Sequence, residues 1–126
     1  MLVLLAILGG IMMKSLTFLK AWNESIRNKS KSPLLNYLDG SCSIKYVGRW
    51  ESQSREEHLA WIEENSIAGS IDEFEIFFER DGVCTGCHRV NYTNGEKALV
   101  MFFGKYSDDK ITEWTSLVSR DWKKIG

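Results

Sequence analysis

The sequence predicts an α+β fold, with helices in the first half and a long antiparallel meander in the second. Apolar residues recur at helical spacing between Lys14 and Asn28. Ser54-Arg55-Glu56-Glu57 is a capping box, so another helix opens there. From Ile71 onward the pattern changes to period-two segments punctuated by Asp81-Gly82 and Asn94-Gly95, dipeptides that favour two-residue hairpin loops. A chain of 126 residues has room for one domain with a core of its own.

In the first helix, Lys14 to Asn28, residues Leu16, Leu19, Trp22 or Asn23, and Ile26 recur at helical spacing. Ser32-Pro33 restarts a short helix, with Ser32 as N-cap and Pro33 at the first helical position, where a missing N–H costs nothing. Leu34, Leu35 and Leu38 give it an apolar side, and Asp39-Gly40 ends it. Cys42 to Val47 reads as a short strand. In the third helix the Ser54 hydroxyl serves the Glu57 amide while the Glu57 side chain reaches back. Leu59, Ile62 and Ser66 share a side, and this helix runs out near Ala68-Gly69. The meander comprises Ile71 to Arg80, Val83 to Thr93, Glu96 to Tyr106 and Ile111 to Ser119. Its last turn is Ser107-Asp108-Asp109-Lys110.

Counting outward from tight turns places Glu75 opposite His88, His88 opposite Met101, Met101 opposite Ser116, and Phe103 opposite Trp114. One face then carries Glu75, Phe77, His88, Leu99, Met101, Phe103, Trp114, Ser116 and Val118. The other carries Phe74, Ile76, Phe78, Cys87, Val100, Phe102 and Leu117. Both faces are apolar, and the helices can cover only one. The second needs another cover, and a second copy of the chain is expected to supply it as a homodimer.

Apolar residues at 44% and charged residues at 26% are ordinary for a globular protein. A net charge of −1 gives no electrostatic reason to expect nucleic acid or an anionic membrane surface. Three cysteines, Cys42, Cys84 and Cys87, are too few for a disulfide scaffold and read as free thiols in a reducing compartment, hence a cytoplasmic protein. Residues 1–13 form an apolar extension before a single domain over 14–126. The uncharged run within it is too short to span a bilayer and lacks a basic flank and cleavage site. It reads as a product of an upstream start codon, a degenerate export signal, or a packed segment.

Cys84-Thr85-Gly86-Cys87-His88 matches the string that attaches c-type haem, which would make an exported haem protein. It falls in an expected strand, where a three-residue offset sends the two thiols to opposite faces. A zinc site from the same residues wants a fourth ligand, and His58 is placed on a distant helix. No cofactor and no metal are expected.

Three segments carry a family resemblance. Phe18-Leu19-Lys20-Ala21-Trp22-Asn23 is similar to the opening helix, and Ser54-Arg55-Glu56-Glu57 to the third helix, of the nuclear transport factor 2-like superfamily. Tyr106-Ser107-Asp108-Asp109-Lys110-Ile111-Thr112-Glu113-Trp114 resembles a hairpin of its SnoaL-like branch, a group of small bacterial proteins. The likeness runs from about Leu16 to Ser119. It implies a cone: a strongly curved antiparallel sheet wrapped around about three N-terminal helices, with an internal pocket and dimerisation through the outer sheet face. The superfamily holds polyketide cyclases, ketosteroid isomerases, epoxide hydrolases, dehydratases and non-catalytic modules, so the fold leaves the chemistry open. Trp114-Thr115-Ser116 lacks the catalytic carboxylate that epoxide hydrolase relatives carry in that strand. Lys45-Tyr46-Val47-Gly48 lacks the base of ketosteroid isomerases. The strand comparison implies that Trp114 and Ser116 point inward.

The sharpest constellation is His88 with Glu75, since a carboxylate opposite an imidazole fixes one tautomer and raises its basicity. His88 is the candidate base and Glu75 its orienting partner. Trp22, Tyr46, Phe77, Met101, Phe103, Trp114 and Ser116 are the expected pocket lining. The expected function is a small-molecule pocket with cofactor-free acid–base chemistry of the isomerase, cyclase or dehydratase type. The alternative is a non-catalytic dimerisation or ligand-binding module.

Overall fold

The computed structural model describes residues 14–48, 52–64 and 66–120; the apolar N-terminal run lies outside them. The order is α1 (Lys14–Asn28), α2 (Ser32–Leu35), β1 (Leu38–Tyr46), β2 (Ser52–Ser54), α3 (Arg55–Glu64), β3 (Ala68–Arg80), β4 (Val83–Tyr92), β5 (Lys97–Ser107) and β6 (Lys110–Ser119). The strands form one curved, open sheet in the order β2-β1-β6-β5-β4-β3. Four of the five pairings are antiparallel; β1 lies parallel to β6. The expected α+β class, with three helices on a curved sheet, is the one observed.

Amphipathic spacing drives α1 onto the sheet: Phe18, Leu19, Trp22 and Ile26 are buried, and Leu16 is only half-buried. Its first turn is tied down by Glu79 of β3. That buried carboxylate accepts from Ser15 N (3.0 Å), Ser15 Oγ (2.7 Å) and the Tyr106 hydroxyl (2.9 Å). A negative group there also complements the helix dipole. Farther along, Asn23 Oδ1 accepts from Ile71 N at 2.8 Å. The capping box of α3 forms as expected, with Ser54 N on Glu57 Oε1 (3.0 Å) and Glu57 N on Ser54 Oγ (3.1 Å). In α2, Ser32 is already helical and Lys31 occupies the cap without a side-chain bond, so Ser32 is not the cap. Asp39-Gly40 does not end a helix but belongs to β1, which starts earlier than expected.

The expected register holds only next to the turns. Arg80 pairs with Val83, but bulges in β3 shift each later partner, so Glu75 lies opposite Cys87 and not His88. Glu73 adopts a positive φ of 55° beside one of these breaks, which the bidentate Arg89–Asp72 pair (2.8 and 2.9 Å) spans. The loop between β4 and β5 holds three residues, not two: Tyr92 N bonds Glu96 O at 2.8 Å, and Gly95 takes φ 90°. His88 therefore faces Val100. A further bulge at Lys105/Tyr106 places Ser116 opposite Phe102 and Trp114 opposite Gly104.

A one-residue slip exchanges faces. Phe74, Ile76, Val100 and Phe102 thus join His88, Trp114 and Ser116 inside, while Glu75, Phe77, Met101 and Phe103 turn outward. At the centre Trp114 is fully buried, stacked on Phe102 (4.6 Å between centroids) and packed against Phe18 (4.7 Å) and Trp22 (5.8 Å). It fits because Gly104 beside it has no side chain: a Cβ there would lie 2.5 Å from the indole and 3.0 Å from Cys84 Sγ. Gly104→Ala is expected to destabilise the protein by roughly 2–3 kcal/mol through overpacking, read by urea denaturation; a loss under about 0.5 kcal/mol would contradict this packing.

Candidate functional site

A cavity of about 600 Å³ lies between the concave face, the second half of α1 and the end of α3. Cross-strand rows set its walls. One row runs Tyr46, Ser116, Phe102, Gly86; the next runs Val118, Val100, His88. Aliphatic floor residues are Ile26, Ile71, Val90, Val100 and Val118, and Trp22 and Trp61 close it from the helices. Polar side chains converge from four strands or their ends: Tyr46, Gln53, His88 and Ser116, with Tyr92 and Arg120 also lining it. Arg120 lies over the Tyr92 ring (4.5 Å) and pairs with Glu96 at 3.4 Å.

His88 is 4% exposed. Its Nδ1 lies 3.2 Å from Arg89 O, and a carbonyl only accepts, so Nδ1 carries the proton and Nε2 keeps a lone pair. Burial pushes its pKa below the usual imidazole value, against smaller opposing effects of the Arg89 carbonyl bond and of Asp72. The ring is therefore neutral at pH 7. Among the described residues Nε2 has no hydrogen-bond partner, and it is closed off from solvent; Trp22, Phe74 and Phe102 surround the ring at 6.1–6.5 Å between centroids.

A second histidine, His58 on α3, is fully buried 5.3 Å from the Trp22 ring, so Trp22 is flanked by both imidazoles. Its Nδ1 bonds Gln53 Oε1 at 2.9 Å, and Nε2 has no partner among the described residues. Burial lowers its pKa to about 4. The helix thought distant from the site thus borders it. The spacing of His58 with Ile62, one turn apart on the buried side, is the signal that could have shown this. Gln53, just before the capping Ser54, carried no such signal.

Of the expected site residues, the structure gathers Trp22, Tyr46, His88 and Ser116 on the cavity. Trp114 is inside but lies beneath the cavity in the aromatic layer. Phe77, Met101 and Phe103 do not line it; they are exposed on the outer face at 54%, 46% and 37%. Glu75 is exposed there as well, so the His88–Glu75 pair does not form, for the register reason given above. Cys84 is buried on the inner face and Cys87 half-buried on the outer. Burial pushes the Cys84 thiol up to about 12 and that of Cys42 to about 11, which keeps both protonated.

No protein-family model matches the chain, and no curated protein matches it. Solved structures do. One is from Kribbella flavida and is provisionally assigned as a ketosteroid isomerase (TM-score 0.70, 8% identity, covering 86% of this chain and 79% of that one). Another is a nuclear transport factor 2-like protein of unknown function from Burkholderia xenovorans (TM-score 0.68, 14% identity, 90% and 94% covered). A third, of the same description, is from Cytophaga hutchinsonii (TM-score 0.62, 10% identity, 90% and 92% covered). The chain has the nuclear transport factor 2-like fold.

The depressed pKa of His58 makes stability depend on pH with a definite sign. An unfolded chain takes up a proton near pH 6.5, while the folded one resists until about pH 4. Stability is complete above 6.5 and falls as pH drops from there toward 4, by up to roughly 3 kcal/mol. His58→Asn, which does not titrate, is expected to flatten this slope. Chemical denaturation at several pH values measures it, and an unchanged slope in the variant would refute the assignment.

Proposed function

We propose that this is a SnoaL-like protein whose cavity binds an apolar small molecule, with His88 as the group that exchanges protons with it in cofactor-free isomerase, cyclase or dehydratase-type chemistry. The observation that carries the reading is the cavity: about 600 Å³, aliphatic on its floor, with polar side chains from separate strands converging on it. That volume and composition are those of small-molecule sites. The provisional assignment of the Kribbella flavida structure supports the same class. His88 acts without Glu75: the Arg89 carbonyl sets its tautomer, leaving Nε2 as the base. Nε2 is closed off from solvent among Trp22, Phe74 and Phe102, so those rings have to part before it reacts. That occlusion favours a second reading, a ligand-binding module without catalysis.

The outer face supports self-association. Phe78, Thr85 and Phe103 form one row across it and Cys87, Met101 and Leu117 the next, a contiguous apolar surface. A two-fold pairing through this surface buries the same residues on both copies. Sedimentation is expected to give a dimer that Phe103→Asp with Leu117→Asp converts to monomer; a monomeric wild type rejects this assembly.

Organic extraction of protein purified without added ligand, followed by mass spectrometry, is expected to recover an apolar molecule. Its recovery should fall when Val118→Phe narrows the cavity. In D2O, His88→Ala should abolish deuterium incorporation at carbon in that molecule while binding persists. Exchange that survives the substitution removes His88 as base, and wild-type protein that binds without exchange leaves the non-catalytic module.

A further inference from the structure

The polar wall contains a side chain whose orientation is imposed from behind. Gln53 lines the cavity from β2, at the edge of the sheet. An amide can present either its oxygen or its nitrogen, and in the open that choice is free. Here the His58 Nδ1–H, 2.9 Å from Oε1, takes the oxygen. The packing around His58 holds its ring in this position. It is fully buried, stacked against Trp61 (5.9 Å) and edge-on to Trp22 (5.3 Å). With the oxygen turned to the helix side, the group Gln53 has left to turn to the cavity is its NH2, a pure donor. The Tyr46 and Ser116 hydroxyls line the same cavity, on neighbouring strands β1 and β6.

We propose that Gln53 is the specificity-determining donor of the cavity and that His58 is its positioning residue. The ligand is thereby an uncharged apolar skeleton bearing a carbonyl or ether oxygen, which accepts from the Gln53 amide while the skeleton covers the aliphatic floor. This rests on the cavity being a ligand site, and adds which end of the ligand is read and by what.

The test uses two neutral probes matched in shape, 6-propionyl-2-(dimethylamino)naphthalene and its propyl counterpart lacking the carbonyl, with affinities measured by titration calorimetry. Wild-type protein is expected to prefer the ketone. Gln53→Glu keeps an acceptor for His58 but removes the donor, and should reduce the ketone-to-hydrocarbon ratio about tenfold. His58→Leu should lower the ratio likewise. His58→Asn, whose amide N–H can stand where Nδ1–H stood, should restore it; a merely structural role for His58 would not give that rescue. A ratio unchanged in Gln53→Glu, or no rescue by His58→Asn, overturns the proposal while leaving the cavity a binding site. Binding of neither probe to the wild type overturns the cavity reading and this proposal together.

Discussion

Everything about this molecule depends on where its ladder breaks. A regular antiparallel meander of four long strands would twist but remain open, with two equivalent faces. Extra residues in β3, and Thr112 in β6 opposite Lys105/Tyr106, bend it into a trough. The trough gives the sheet a concave side, and α1 then has a surface to lie in. It also lets residues from β1, β4 and β6 converge on one volume although they stand strands apart. Cavity, aromatic layer and outer apolar surface are all consequences of those breaks.

The elements were legible in the sequence wherever hydrogen-bond chemistry is local. The Ser54–Glu57 capping box and the Asp81-Gly82 turn carry their own partners within four residues, and both form as read. The faces were not legible. A bulge needs no special residue: Glu73 holds a positive φ without being glycine. The Asn94-Gly95 dipeptide suits a three-residue loop as well as a two-residue one. Because side chains alternate, one uncounted residue inverted β5 entirely, so Met101 and Phe103 changed places with Val100 and Phe102. A second extra residue, Thr112 early in β6, restores the parity, which is why Trp114 and Ser116 lie inside as the sequence predicts. Glu75 was lost to the bulges in β3, and with it the only carboxylate expected at His88.

The site also breaks a rule that the rest of the core respects. Trp22 Nε1, Trp114 Nε1, His58 Nε2 and His88 Nε2 are buried without hydrogen-bond partners among the described residues, and their rings form one connected group. Each such atom costs about 1–3 kcal/mol relative to a satisfied one. The two indoles are donors. The two imidazoles, protonated at Nδ1, are acceptors, so the cluster is balanced in kind though unpaired in geometry. Departures from local consistency concentrate at functional positions, where stability is given up for chemistry or recognition.

The parallel pairing of β1 with β6 joins strands from opposite ends of the described chain. During synthesis the N-terminal helices and β1 leave the ribosome first, yet their seat is built from strands made last. The hairpins of the meander can zip from their turns, whereas β1 must await β6 before its inner edge is covered. The first half of the protein therefore spends translation as an amphipathic, unsheltered segment. A stalled or truncated product ending before Lys110 would expose the β1 and β5 edges at once, both competent to pair with another chain. β6 thus covers two open sheet edges as well as walling the cavity.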